Sequence, residues 1–147
     1  MDEAYQSTPI VMDTNVLVAG ACRRESSLAY QILLGVLEER FPLILTEPIV
    51  REYLDVLARP AVRALTGLSR RQSEELVTDL IALSYRVQLH FSWRPNLPDE
   101  GDNKFVDAAI HATAVIVTYK ASDFRGADLP QYGWTAMTPR EFLARYQ

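Results

Sequence analysis

The chain has 147 residues, 48% of them hydrophobic and 23% charged, and a net charge of −4. That length suits one domain with a real core, spanning residues 1–147, and the composition excludes disorder and a membrane class. The negative balance repels polyanions, so any nucleic-acid binding has to come from a local basic patch or from bound cations.

The longest apolar stretch, around Ile10 to Cys22, is broken by Asp13, Thr14 and Asn15, well short of the roughly 18 apolar residues of a spanning helix. Asp2 and Glu3 stand where a secretory leader would be basic, so a cytoplasmic location is the expectation. Cys22 is the single cysteine and has no neighbour at metal-ligand spacing; a small, buried apolar role is expected for it.

Short β-branched runs alternate with helix-length amphipathic segments, the pattern of an α/β fold. Pro9-Ile10-Val11-Met12 reads as a buried strand ending at Asp13. Ser26 or Ser27 offers an N-cap for a helix in which Leu28, Ile32, Val36 and Leu37 share a face. Leu43-Ile44-Leu45 is a second short strand, and Thr46 caps the next helix, where Pro48 is tolerated in the first turn and Ile49, Tyr53, Val56 and Leu57 line one side. Pro60 interrupts that helix, and a short helical piece follows to Leu65 before Gly67. Ser69 and Gln72 form a capping box ahead of a helix to about Ser84, with Leu76, Val77, Leu80, Ile81 and Leu83 as its stripe. Arg86 to His90 alternates weakly as a strand, and Ser92 to Gly101 reads as a loop. A helix is expected from near Asp102 to about Thr113, then the strand Val115-Ile116-Val117-Thr118. Thr138, Pro139 and Glu141 start a last helix through Phe142 to Tyr146.

In an open α/β sheet, ligands bind beyond the carboxyl ends of the parallel strands. Asp13 directly follows the first strand, Glu52 lies in the helix after the second, and Asp123 follows the strand ending at Thr118. Asp102 opens the helix feeding that strand, with Asp99 three positions earlier. Crowded carboxylates repel and are costly to bury unless paired or metal-bound. An all-oxygen donor set without His or Cys suits Mg²⁺ or Mn²⁺ rather than Zn²⁺. One ion, or two roughly 4 Å apart, would activate water for in-line attack on a phosphodiester, with no protein nucleophile required.

Each acid also has a plainer reading. Asp13 and Asp123 are candidate turn residues, Asp99 a helix cap, Asp102 a partner for the helix dipole, and Glu52 an exposed helix residue with Glu47 competing for its role. Asn15 and Thr118 are candidates for orienting an acid through a hydrogen bond, or for backbone caps. His90 and His111 lack a ligand pattern. Arginines at 23, 24, 51, 59, 63, 70, 71 and 94 do not mark out a binding patch, because surface helices carry such charges anyway.

Three ordered segments, IVMDTNVLVAGA, TEPIVREYLDVLARP and LPDEGDNKFVDAAIHATAVIVTYKASDF, resemble the PIN-domain nucleases from about Pro9 to Phe142, and among them are most similar to the toxins of bacterial toxin–antitoxin operons. The resemblance implies a three-layer α/β/α fold with a central, mainly parallel sheet, and RNA cleavage by carboxylate-bound Mg²⁺ or Mn²⁺. Carried over position by position, it makes Asp13, Glu52 and Asp102 the first three acids and Asp123 the fourth. Related sequences commonly read Phe-Asn-Leu-Lys-Asp-Phe where this chain has Tyr119, Lys120, Ala121, Ser122, Asp123 and Phe124, so Lys120 replaces the expected Asn. That puts a cation near the pocket, to contact phosphate or weaken metal affinity. The resemblance also implies a cognate antitoxin and a homodimer. The alternative is a degenerate PIN module that binds RNA or a protein partner without cleaving. Aspartyl-phosphate chemistry of the haloacid type expects Asp-x-Asp, whereas Asp13 is followed by Thr14 and Asn15.

Overall fold

The computed structural model describes residues 8–87, 97, 99–125 and 133–146. The run Ile10–Met12 is strand β1, buried at every residue. Helix α1, Thr14–Ala21, follows at once, an element not expected from the sequence. Helix α2, Leu28–Leu37, begins at Ser27, whose hydroxyl accepts the Tyr30 N–H. Strand β2 is Ile44–Leu45, and Thr46 caps helix α3, Glu47–Ala58, with Pro48 in its first turn. Helix α4, Pro60–Thr66, ends on Gly67, whose φ of 71° is the left-handed conformation that glycine adopts without penalty.

The Ser69–Gln72 capping box is complete in both directions at the start of helix α5, Arg70–Leu83. Strand β3 is Tyr85–Arg86, shorter than the expected 86–90; residues 88–90, His90 among them, and the loop residues 92–96 and 98, including Arg94, lie outside the described residues. A 3₁₀ turn, Glu100–Asp102, leads into helix α6, Asn103–Ala112, and then strand β4, Val115–Val117. Besides α1, two elements were not anticipated: helix α7, Ala121–Arg125, and strand β5, Thr135–Met137. Helix α8, Pro139–Tyr146, opens with the expected reciprocal bonds between Thr138 and Glu141.

All strand pairs among the described residues are parallel. β1 pairs with β4 in the register Ile10↔Val115 to Met12↔Val117, β4 with β5, and β2 with β3. A parallel bridge between Ile10 and Leu43, with the Ile10 N–H donating to the Pro42 carbonyl at 2.8 Å, joins the two ladders. The resulting spatial order is β3-β2-β1-β4-β5. Chain direction therefore reverses between β1 and β4: from β1 the chain steps to β2 on one side, from β4 to β5 on the other. Right-handed crossovers require helices on opposite faces for the two directions. Accordingly α6 packs on β1, β2 and β4, while α1, α2, α5 and α8 pack among themselves elsewhere, completing three α/β/α layers.

Close helix packing in the second layer depends on small residues. A Cβ on Gly35 would fall 2.4 Å from two ring carbons of Phe41, whose ring stands edge-on to Phe142 at 5.0 Å. Alanine ordinarily improves a helix interior by about 1 kcal/mol over glycine. Here the clash wins: Gly35→Ala is expected to destabilise by about 1–3 kcal/mol, the usual cost of overpacking. Urea denaturation of the variant checks it, and a gain in stability would contradict the packing described.

Candidate active site

The reversal between β1 and β4 opens a crevice at the carboxyl edge of the sheet, where such folds bind ligands. Asp13 leaves β1 directly into it. Its N–H donates to the Val117 carbonyl at 3.0 Å and its carbonyl accepts the Val16 N–H at 3.0 Å, so sheet and helix together hold its backbone. The side chain is buried, and Oδ2 accepts the Thr118 hydroxyl at 2.6 Å. Thr118, itself fully buried, donates its N–H to the Met137 carbonyl at 2.9 Å, and its Oγ1 accepts the Lys120 N–H at 3.0 Å. The Lys120 ammonium then reaches Asp102 Oδ2 at 2.7 Å. Asp13, Thr118, Lys120 and Asp102 thus form one connected polar chain across the switch point.

Asp102 ends the 3₁₀ turn, is 7% exposed, and spends no side-chain bond on capping α6. Its neighbour Asp99 does cap: Oδ1 accepts the Gly101 N–H at 2.9 Å. Glu52 reaches the same crevice from α3, held between the Thr14 hydroxyl on Oε2 and the Lys104 ammonium on Oε1 at 2.8 Å. Glu47 does not compete for this role, because it pairs with Arg51 on the exposed face of α3. Beneath Glu52, the fully buried Tyr53 donates its hydroxyl to the Met12 carbonyl, tying α3 to the end of β1.

Electrostatics couple these groups. Burial, the largest effect, raises the pKa of Asp13; Asp102 adds repulsion, while the Thr118 hydrogen bond and the Lys120 charge oppose the rise without cancelling it. Asp102 is raised in the same way, by burial first and then by Asp99 and Glu52, against the opposing Lys120 ion pair. Burial pulls the Lys120 ammonium down, but Asp102, Asp13 and Asp99 together outweigh it and lift the net value. The Tyr53 phenol is pushed well up by burial and by Asp13 and Glu52, and stays protonated.

Of the five acids singled out from sequence, Asp13, Glu52, Asp99 and Asp102 act on one another here. Asp123 sits half-buried in the first turn of α7, its N–H donating to the Lys120 carbonyl at 2.9 Å. Among the described residues no hydrogen bond or ion pair joins its carboxylate to the others. Asn15 is exposed, and the orienting role considered for it falls to Thr14. The ring nitrogen Nδ1 of His111 meets the Asp107 carbonyl at 2.7 Å, within its own helix. Cys22 is half-buried rather than buried, its thiol directed to the Val18 and Leu65 carbonyls. Sequence reasoning missed Thr14 and Lys104; their one legible signal was a place one and two residues after Asp13 and Asp102 respectively.

The donor set fits a hard divalent cation in its chemistry. Four carboxylates, from Asp13, Glu52, Asp99 and Asp102, face two ammonium groups, from Lys104 and Lys120. The excess matches the charge of one divalent ion. Among the described residues no three acidic, histidine or cysteine side chains stand close enough to hold an ion unaided. Mg²⁺ does not require that, since it keeps several waters and is commonly held by one or two carboxylates.

Fold and crevice together define an α/β/α protein with an acid-lined switch point at its sheet edge. Residues 9–121 match the PIN domain, and the chain belongs to that family. Its members are generally nucleases and typically use divalent metal ions. Asp13, Glu52, Asp99 and Asp102 fall inside the matched residues and Asp123 outside them. No curated protein matches the chain. No helix among the described residues is long and apolar enough to cross a membrane.

Proposed function

We propose that this protein is a Mg²⁺- or Mn²⁺-dependent endoribonuclease that hydrolyses RNA phosphodiester bonds, and that it serves as the toxin of a toxin–antitoxin pair. The observation that carries the catalytic reading is the pair of buried, mutually repelling carboxylates Asp13 and Asp102 at the switch point of a PIN domain. These two would hold the cation, with Glu52 and Asp99 as further donors and Asp123 completing the proposed set. Such a cation supplies Lewis-acid stabilisation of phosphodiester charge and a lowered pKa for water.

The chain's own residues do the rest. Thr118 fixes Asp13 Oδ2 by donating to it while accepting from the Lys120 N–H. Thr14 and Lys104 hold the two Glu52 oxygens in a set direction. Lys120 presents a cation to which a phosphate oxygen is complementary. The toxin role, the antitoxin partner and a homodimer are supported by the resemblance of the three ordered motifs.

A second reading, a PIN module that binds without cleaving, is favoured by one observation: lysines already neutralise Asp102 and Glu52. End-labelled single-stranded RNAs incubated with Mg²⁺, Mn²⁺ or chelator separate the two. Internal cleavage with metal and none with chelator is expected; intact RNA across all substrates and metals gives the binding module. Growth arrest on induced expression is the corresponding result for the toxin role.

A further inference from the structure

We infer that the Lys120 ammonium is a resident cation of the acid crevice, filling a position that a divalent ion takes once the ammonium is removed. The inference rests on the metal-site reading above and adds a count to it.

Position supports it first. The Lys120 backbone is fixed by its N–H bond to Thr118 Oγ1 at 3.0 Å, and the same hydroxyl holds Asp13, so the lysine stem starts from within the site. Its Nζ ends 2.7 Å from Asp102 Oδ2, on a carboxylate that is 7% exposed. From there it interacts with Asp13 and Asp99 as well, so three carboxylates share one ammonium.

Charge supports it second. A divalent ion bound at roughly 2.1 Å to the oxygen that Lys120 occupies would face a like charge only a few ångströms away, on a residue that is 7% exposed. Ammonium and ion therefore exclude each other at Asp102 Oδ2. Lys104 differs: it serves Glu52 and the Gly101 carbonyl and lies near the Phe105 ring, 5.6 Å from its centroid. Of the two lysines, Lys120 alone bonds to Asp102, and its link to Asp13 runs through the Thr118 hydroxyl.

Calorimetric titration of the full chain with Mn²⁺ tests this by stoichiometry rather than by activity. The native protein is expected to bind one ion, Lys120→Met and Lys120→Asn two each, and Lys120→Arg one. An unchanged count in Lys120→Met overturns the inference even if affinity rises, because tighter binding alone makes Lys120 a repulsive neighbour. A gain confined to Lys120→Asn assigns the new position to the amide oxygen and also overturns it, as does a gain in Lys120→Arg. Native protein that binds no Mn²⁺ while Lys120→Met binds one upholds the inference and breaks the metal-dependent reading. Binding by neither overturns both.

Discussion

Asp13→Asn should reduce RNA cleavage by at least about 10²–10³-fold, the scale on which removing one preorganised group that stabilises developing charge acts, and should at the same time make the metal-free protein more stable at neutral pH. Both effects come from one carboxylate. Burial and Asp102 raise the Asp13 pKa above its ordinary 3.8. Between the unfolded and folded values the native state then holds more protons than the unfolded chain, so stability falls as pH rises through that window. Above the folded value the full destabilisation is present. Asparagine removes the charge yet keeps an oxygen to accept the Thr118 hydroxyl. Thermal melting in chelator should show the variant above native at pH 7, with the gap closing as pH approaches 3.8. A variant melting below native at pH 7 would contradict this. Trading stability for an active-site charge is a common arrangement in enzymes.

Phe105→Ala is expected to cost about 3–5 kcal/mol, the range for deleting a fully buried aromatic ring, against a typical total of about 5–15 kcal/mol. Phe105 is 0% exposed and anchors α6 where that helix packs on β1, β2 and β4. It stands three residues after Asp102 and next to Lys104, so a cavity there loosens the segment that presents both groups. Lowered stability should therefore come with weakened Mn²⁺ binding even in the fraction that stays folded. Urea denaturation gives the first quantity, and a loss below about 1 kcal/mol would mean that the ring is not buried as described.

Legibility in the sequence followed the range of the interaction. The Ser69–Gln72 and Thr138–Glu141 boxes span three positions, and both were readable because donor and acceptor are local. β1 and β4 were readable as short apolar runs bounded by polar residues. Helix α1 was not, since Val16, Leu17, Val18, Ala19, Gly20 and Ala21 give it no polar face and hence no periodicity. α7, five residues long, and β5, three, are too short to carry a pattern of their own and depend on packing.

The acids divide along the same line. Asp13 and Asp102 stood out by their places after a strand and before a helix. Glu52 was singled out by the resemblance with Glu47 left as a rival, and helix rotation separates the two. With about 100° per residue, position 52 lies about 60° from the buried Ile49 and position 47 about 160° away. Lys120 was visible as a departure from the related pattern, but its partner was not: Asp102 lies 18 residues earlier, and the packing of α6 back along β4 brings them together. Lys104 and Glu52 are 52 positions apart, and no local rule joins them.

The central claim is that Asp13 and Asp102 hold a divalent cation at the switch point. Anomalous diffraction from crystals of the native protein grown with Mn²⁺ measures that directly. The account predicts a peak bonded to carboxylate oxygens of both residues at roughly 2.1 Å. No peak there at saturating Mn²⁺, with the Lys120–Asp102 ion pair intact, would contradict it.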